Sequence, residues 1–239
     1  MIKVTYLDHS GFAVTTKDAI LVFDYTTDPG RHLEKLMREQ PEAPVTFFVS
    51  HDHPDHFNTS IFELAQNHHH AYVLSNDVDS LRVPDKGLSI GWMSKGDILE
   101  QIPGVKKVEA FGSTDRGVSF AITTLEDEVI FHAGDLNDWS GFDEKEHDAQ
   151  RDANAFHTIV NRIASEYPQV KAAMFPVDVR LADNMADGAR YFLAKVKTDY
   201  FFPMHLNGSP ETACDFKTYV PEGTTAECLT SPGKSVQLK

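Results

Sequence analysis

The run Ser50-His51-Asp52-His53-Pro54-Asp55-His56-Phe57 constrains this chain more than any other feature. Three histidines and two aspartates fall within six residues, directly after the apolar run Val45-Thr46-Phe47-Phe48-Val49. The length and β-rich composition of that run predict a buried strand. Imidazole and carboxylate are the usual ligands of zinc, manganese and iron near neutral pH. In an extended loop, residues two apart point the same way, so His51 and His53 can grip one cation together. A turn at Pro54 then offers Asp55 and His56 to a second cation nearby. A metal needs more ligands than one such loop supplies, so the fold has to bring others from the ends of distant strands.

Two residues meet that need. Asp135 follows Phe131-His132-Ala133-Gly134, where a strand ends in a glycine turn, and His205 follows Phe202-Pro203-Met204 at the end of another apolar stretch. Polar residues that terminate buried strands are where function collects in layered α/β folds.

Apolar periodicity predicts strands over 2–7, 11–16 and 19–24, the last two joined at Lys17-Asp18 as a hairpin. A helix is expected over 30–39, closed by Pro41 and Pro44. After the histidine cluster come a helix over 59–67 and a strand over 71–75. A second hairpin pairs 118–124 with 128–131. A polar helix follows over 143–166, its apolar face read from Ala155, Ile159 and Ile163. Strands at 171–177 and 198–204 alternate with helices at 184–196 and 210–219. Residues 77–105 carry many turn formers and resist assignment. Hairpins first and strand–helix alternation after them, in each half, predict a layered α/β protein with mixed sheets between helices.

The 239 residues suffice for one α/β domain with a sizeable core. The net charge of −14 repels nucleic-acid backbone and argues against broad DNA or RNA binding. No apolar run reaches the ~20 residues of a membrane-spanning helix. The opening Met1-Ile2-Lys3-Val4-Thr5-Tyr6-Leu7-Asp8-His9-Ser10 places an acid and a histidine where a signal peptide needs apolar residues, so a cytoplasmic protein is expected. Cys214 and Cys228 form no C-x-x-C pair and read as two reduced thiols, since a disulfide implies an oxidising compartment.

These motifs resemble the metallo-β-lactamase superfamily. Its H-x-H-x-D-H signature is matched at His51, His53, Asp55 and His56. Asp24, ending Leu21-Val22-Phe23, resembles an early family aspartate; Asp135 resembles the bridging aspartate and His205 the last histidine. The opening Tyr6-Leu7-Asp8-His9-Ser10-Gly11-Phe12 is similar to the G-H-S-x-F opening of the branch that contains L-ascorbate-6-phosphate lactonase. The matches run from residue 6 to residue 205. The resemblance implies a four-layer αββα sandwich, two mixed sheets between helices, as a single domain over 1–239. It also implies a metal-dependent hydrolase holding one or two ions per chain: zinc, with manganese or iron as alternatives.

One departure stands out. The superfamily usually supplies another metal-binding histidine between the first cluster and the bridging aspartate. Here Gly112-Ser113-Thr114-Asp115-Arg116-Gly117-Val118 holds none, and Asp115 occupies the place. If Asp115 enters the site, one position takes His51, His53, Asp115 and shared Asp135, and the other Asp55, His56, Asp135 and His205. A carboxylate there favours harder cations such as manganese or iron(II). The alternative is a plain turn aspartate.

Asp24 either touches metal or orients a ligand histidine. His9 either lines the pocket or caps its loop. His132 should point away from Asp135 by strand alternation. His68, His69 and His70 read as a solvated helix end, and His32, His147 and His157 as surface residues. Arg180 either meets an anionic substrate or forms a surface salt bridge.

The implied chemistry is hydrolysis by a metal-activated hydroxide, since a bound cation lowers the pKa of water from ~15.7 toward ~7. Asp55 and Asp135 are the catalytic carboxylates that orient it. No G-x-S-x-G nucleophile motif is present. The substrate expected is a small ester, lactone or phosphoester. The competing readings are a nuclease of the same fold and a non-catalytic metal-binding protein.

Overall fold

Strands that are apolar on both faces need cover on both sides, and the layers follow from that requirement. A computed structural model describes residues 1–85, 87–140, 149–206 and 210–239. The first sheet contains β1 (Ile2–Asp8), β2 (Gly11–Thr15), β3 (Ile20–Phe23), β4 (Val45–Val49), β5 (His70–Ser75) and β6 (Ile90–Met93). The second contains β7 (Ile98–Leu99), β8 (Val105–Gly112), β9 (Val118–Thr124), β10 (Val129–His132), β11 (Gln169–Pro176), β12 (Lys197–Met204) and β13 (Thr225–Ala226). The terminal β14 (Ser235–Leu238) returns to the first sheet and pairs antiparallel with β1. Strand orders are β14-β1-β2-β3-β4-β5-β6 and β13-β12-β11-β10-β9-β8-β7. In each sheet the antiparallel pairs come first and the parallel pairs after them: β3 through β6 in one, β10 through β13 in the other.

Alternation along β3 shows how the layers close. Leu21 and Phe23 enter the core between the sheets with Phe120 and Ile122 of the second sheet. Ile20 and Val22 enter a separate cluster with Leu33, Leu36 and Met37 of α1 (His32–Glu39) and Ile61 and Phe62 of α2 (Ile61–Leu64). Across the molecule, α3 (Ala149–Glu166) and α4 (Asp187–Lys195) cover the second sheet. Phe192 of α4 lies 4.9 Å from Phe175 and 5.1 Å from Phe131 between ring centroids. This is the αββα sandwich expected. A fifth helix, α5 (Pro210–Cys214), is followed by a 3-10 turn over Asp215–Tyr219.

Several local expectations need correction. The helix expected over 59–67 is a single turn, because His68 N–H closes a turn onto the Ala65 carbonyl and the chain enters β5 at His70. The buried face of α3 is Phe156, Val160 and Ile163 rather than Ala155, Ile159 and Ile163; Ala155 is exposed. Residues 143–148, the start of that expected helix, and His147 lie outside the described residues. The helix expected over 184–196 starts at Asp187, after a 3-10 segment over Val179–Asn184. The region 77–105 contains a 3-10 turn over Ser80–Arg82 and the short strands β6 and β7.

The cysteines are also corrected: Cys214 and Cys228 form a disulfide, with Cα atoms 5.5 Å apart. The bond ties the end of α5 to the segment after β13. That proximity comes from tertiary packing, so the spacing of the two residues in the chain gave no sign of it. No helix among the described residues is long and apolar enough to cross a membrane.

The C-terminal ends of β3, β4, β10, β11 and β12 deliver Asp24, the His51–His56 loop, Asp135, Asp178 and His205 to one edge of the sandwich. Open α/β sheets bind ligands at that end of their parallel strands. Two glycines permit the approach. Gly117 has φ +65°, and a Cβ on it would collide with the Ser50 carbonyl oxygen; Gly134 has φ +54°, and its Cβ would press on Ser50.

Candidate metal centre

The loop after β4 starts from an anchored residue. Ser50 donates its N–H to Asp24 Oδ1 at 2.8 Å and its hydroxyl to Asp24 Oδ2 at 2.6 Å. Ser50 Oγ also lies 2.9 Å from His51 Nδ1, and Asp24 Oδ2 lies 2.7 Å from His56 Nδ1. One buried carboxylate therefore sets His56 directly and His51 through Ser50. His205 receives the same treatment from Asp178, whose Oδ2 is 2.8 Å from Nδ1. With Nδ1 engaged in each case, Nε2 is turned to the common centre, the arrangement of carboxylate–histidine–metal triads.

Asp135 sits at that centre. Its Oδ2 lies 3.3 Å from His51 Nε2, and its Oδ1 lies 3.1 Å from His56 Nε2 and 3.5 Å from His205 Nε2. His53 Nδ1 stands 3.1 Å from His51 Nε2. Asp55 Oδ2 is 4.0 Å from His56 Nε2 and 3.9 Å from His205 Nε2. Among the described residues, ligand atoms that lie within 4.8 Å of one another form two groups: His51, His53 and Asp135, and His9, Asp55, His56 and His205. Asp135 faces each group with a different oxygen.

The donor set fits a cation on the structure's own evidence. His56 Nε2 and Asp135 Oδ1 are buried and have no hydrogen-bond partner, although they lie 3.1 Å apart. Buried polar atoms without partners are costly, and a positive ion between them would satisfy both. The electrostatics agree. Burial works against ionising Asp135, but His51 and then His56 hold its carboxyl well below the usual range. Burial likewise opposes charge on His56, yet Asp24 and Asp135 push its imidazole up to about 10. Asp178 is held at about 2, where burial is outweighed by His205 and Arg180.

Backbone strain collects here as well. His9, Asp24 and His205 adopt positive φ of 51°, 40° and 61°. Such conformations cost non-glycine residues energy and cluster at functional sites.

The sequence-derived residues are therefore brought together, with one exception. Asp115 lies at the rim, half exposed, its Oδ2 3.8 Å from His53 Nδ1, and belongs to neither close group. Asp24 orients histidines, one of its two expected roles. His132 is buried beneath the site, its Nε2 2.9 Å from the Ser10 carbonyl oxygen and its ring stacked on Phe23 at 5.0 Å. Asp178 and Trp139 went unread in the sequence. Asp178 carried the same signal as Asp135 and His205, a polar residue ending a buried strand. Trp139 donates its indole N–H to the Asp135 carbonyl oxygen at 2.9 Å and walls the cleft.

A family model described as the beta-lactamase superfamily domain matches residues 3–154, well over half the chain. The chain belongs to the metallo-β-lactamase superfamily. Its curated relatives within that superfamily are described as metal-dependent hydrolases. It is 22% identical over 253 residues to a UPF0173 metal-dependent hydrolase of Pelotomaculum thermopropionicum, covering 99% of this chain and 100% of the relative. It is 32% identical over 147 residues to the UPF0173 metal-dependent hydrolase YtkL of Bacillus subtilis, covering 56% of this chain and 63% of that one. Among solved structures, a metallo hydrolase from Ignicoccus hospitalis superposes with a TM-score of 0.68 at 17% identity, covering 98% of this chain and 97% of that one. The diiron β-hydroxylase CmlA of Streptomyces venezuelae superposes at 0.64 and 12% identity, covering 99% of this chain and 54% of its own. These superpositions show a shared superfamily fold.

Proposed function

We propose that this superfamily member hydrolyses a small ester, lactone or phosphoester, similar in class to substrates of the lactonase-like branch. The observation that carries the proposal is the split presentation of Asp135, one oxygen to His51 and the other to His56 and His205, on the floor of a small cleft. His51, His53 and Asp135 would hold one ion, and Asp55, His56, His205 and Asp135 a second; Asp115, 3.8 Å from His53, is a further carboxylate beside the first position. Bound metal supplies Lewis acidity and lowers the pKa of water toward ~7.

The protein's own groups do the rest. Asp135 is buried and Asp55 is half exposed at the cleft, so both can accept hydrogen bonds from an attacking water and fix its direction. Trp139 gives the cleft an apolar wall. Arg180 also lines it, gripped by Asp178 through Nε at 2.9 and 3.0 Å, and provides positive charge for an anionic substrate group. The cleft measures about 220 Å³, below the ~300–1,000 Å³ typical of drug-sized ligand sites. That size favours a small substrate over a nucleic acid, as does the charge of −14.

The test is a panel of lactones, phosphodiesters and thioesters, assayed before and after chelation. We expect turnover of at least one class, loss of that turnover on chelation, and recovery on adding zinc or manganese. Turnover that survives complete metal removal would contradict the proposal. Metal uptake with no turnover of any class would favour the non-catalytic alternative.

A further inference from the structure

His9 lies outside the cluster that the superfamily signature defines, in the turn between β1 and β2. It nevertheless reaches the same point in space. Its Nε2 is 3.3 Å from Asp55 Oδ2, and its ring centroid is 4.5 Å from that of His205 and 5.8 Å from that of His56. The atom is buried and has no hydrogen-bond partner; the Asp55 carboxylate faces it as a charged neighbour. It thus joins His56 Nε2 and Asp135 Oδ1 as buried, unpartnered polar atoms aimed at one spot.

The backbone is built to keep it there. His9 holds a left-handed φ of 51°, its N–H is engaged by Asp8 Oδ1 at 3.0 Å, and its carbonyl oxygen accepts the His205 N–H at 3.3 Å. His205 is itself left-handed at φ 61°. Two strained residues, each carrying an imidazole to the same point, are thereby tied together.

We infer that His9 is a metal ligand, completing one position as His9, Asp55, His56 and His205 with Asp135 as the bridge. The inference rests on the metal-centre reading above and extends it. Ligand atoms around a five-coordinate ion with bonds of about 2.1 Å lie about 3.0–3.6 Å apart. The 3.3 Å from Asp55 to His9 already falls in that range, and the 3.9 and 4.0 Å to His205 and His56 need only a small contraction. The two positions then become unequal. This one gathers three imidazoles and two carboxylates, whereas the other has His51, His53 and the far oxygen of Asp135. The His9 position should fill first.

The experiment uses His9→Asn, because asparagine tolerates left-handed φ but is too short to replace the imidazole. Wild type and variant, both shown folded by circular dichroism, are titrated with zinc and examined by X-ray absorption at one equivalent. We expect three imidazoles around the ion in wild type and two in the variant, with affinity for the first ion falling at least ~10-fold. Unchanged affinity would overturn the assignment of His9. So would a weaker site with an unchanged imidazole count, which would mean that His9 merely positions Asp55. A wild-type protein that takes up no metal would sink the underlying metal centre as well, so the two failures are distinguishable.

Discussion

Replacing Asp135 with alanine is expected to lower turnover at least ~100-fold, about 2.7 kcal/mol of lost transition-state stabilisation. Among the described residues, Asp135 is the carboxylate whose two oxygens face the two separate imidazole groups. Removing it takes a donor from both positions and a hydrogen-bond acceptor from the attacking water. It also leaves His51 and His56 without the charge that His56, in particular, is held against. Asp135→Asn, which preserves shape, should fall nearly as far, because the amide brings no negative charge. His53→Ala should lose activity on the same scale with little effect on stability, since His53 is about one-third exposed. Steady-state kinetics on whichever substrate class is turned over checks all three. Wild-type turnover in Asp135→Ala would show that the bridging role is wrong.

The second large effect is expected at Asp24, which lies farther from the reacting centre. This fully buried carboxylate accepts from Ser50 N–H and Ser50 hydroxyl and engages His56 Nδ1. Burial opposes its ionisation, but His132 and His56 hold its pKa below the ordinary value. Asp24→Ala leaves those partners buried without their acceptor. Breaking a buried pair from one side costs about 3–5 kcal/mol, read as a lower midpoint in denaturant unfolding. Asp24→Asn separates stability from function: asparagine tolerates the left-handed backbone at φ 40°. Metal affinity should still fall ~10–100-fold, the usual loss when a partner behind a ligand histidine is removed. Unfolding and metal titration in both variants that match wild type would contradict the orienting role.

What the sequence made legible follows from locality. His51, His53, Asp55 and His56 were readable because they sit within six residues behind an apolar strand. Asp135 and His205 were readable because each ends a buried strand, and by the same logic Asp178 could have been read. β4 matched to the residue because a continuous apolar pentapeptide leaves little choice.

What escaped depends on partners distant in sequence. β7 and β13 have two residues each, and β14 earns its assignment only by pairing Ile2 with Leu238 across the whole chain. β8, with eight residues, escaped for a different reason: its two lysines and one glutamate interrupt the apolar pattern. The face of α3 was misread by one residue, since a period of 3.6 admits two neighbouring stripes and tertiary packing selects Phe156. The Cys214–Cys228 bond, the grip of Asp178 on His205 and the arrival of His9 beside Asp55 are products of the folded topology.

The most direct measurement is a crystal structure of zinc- or manganese-loaded protein, with the metal located by anomalous scattering at its absorption edge. At least one strong peak is expected within bonding distance of Asp135, between Oδ1 and the nitrogens of His56 and His205. A second ion should appear between Oδ2, His51 and His53. A loaded crystal with no peak touching Asp135, or with metal bound only elsewhere on the chain, would contradict the central claim.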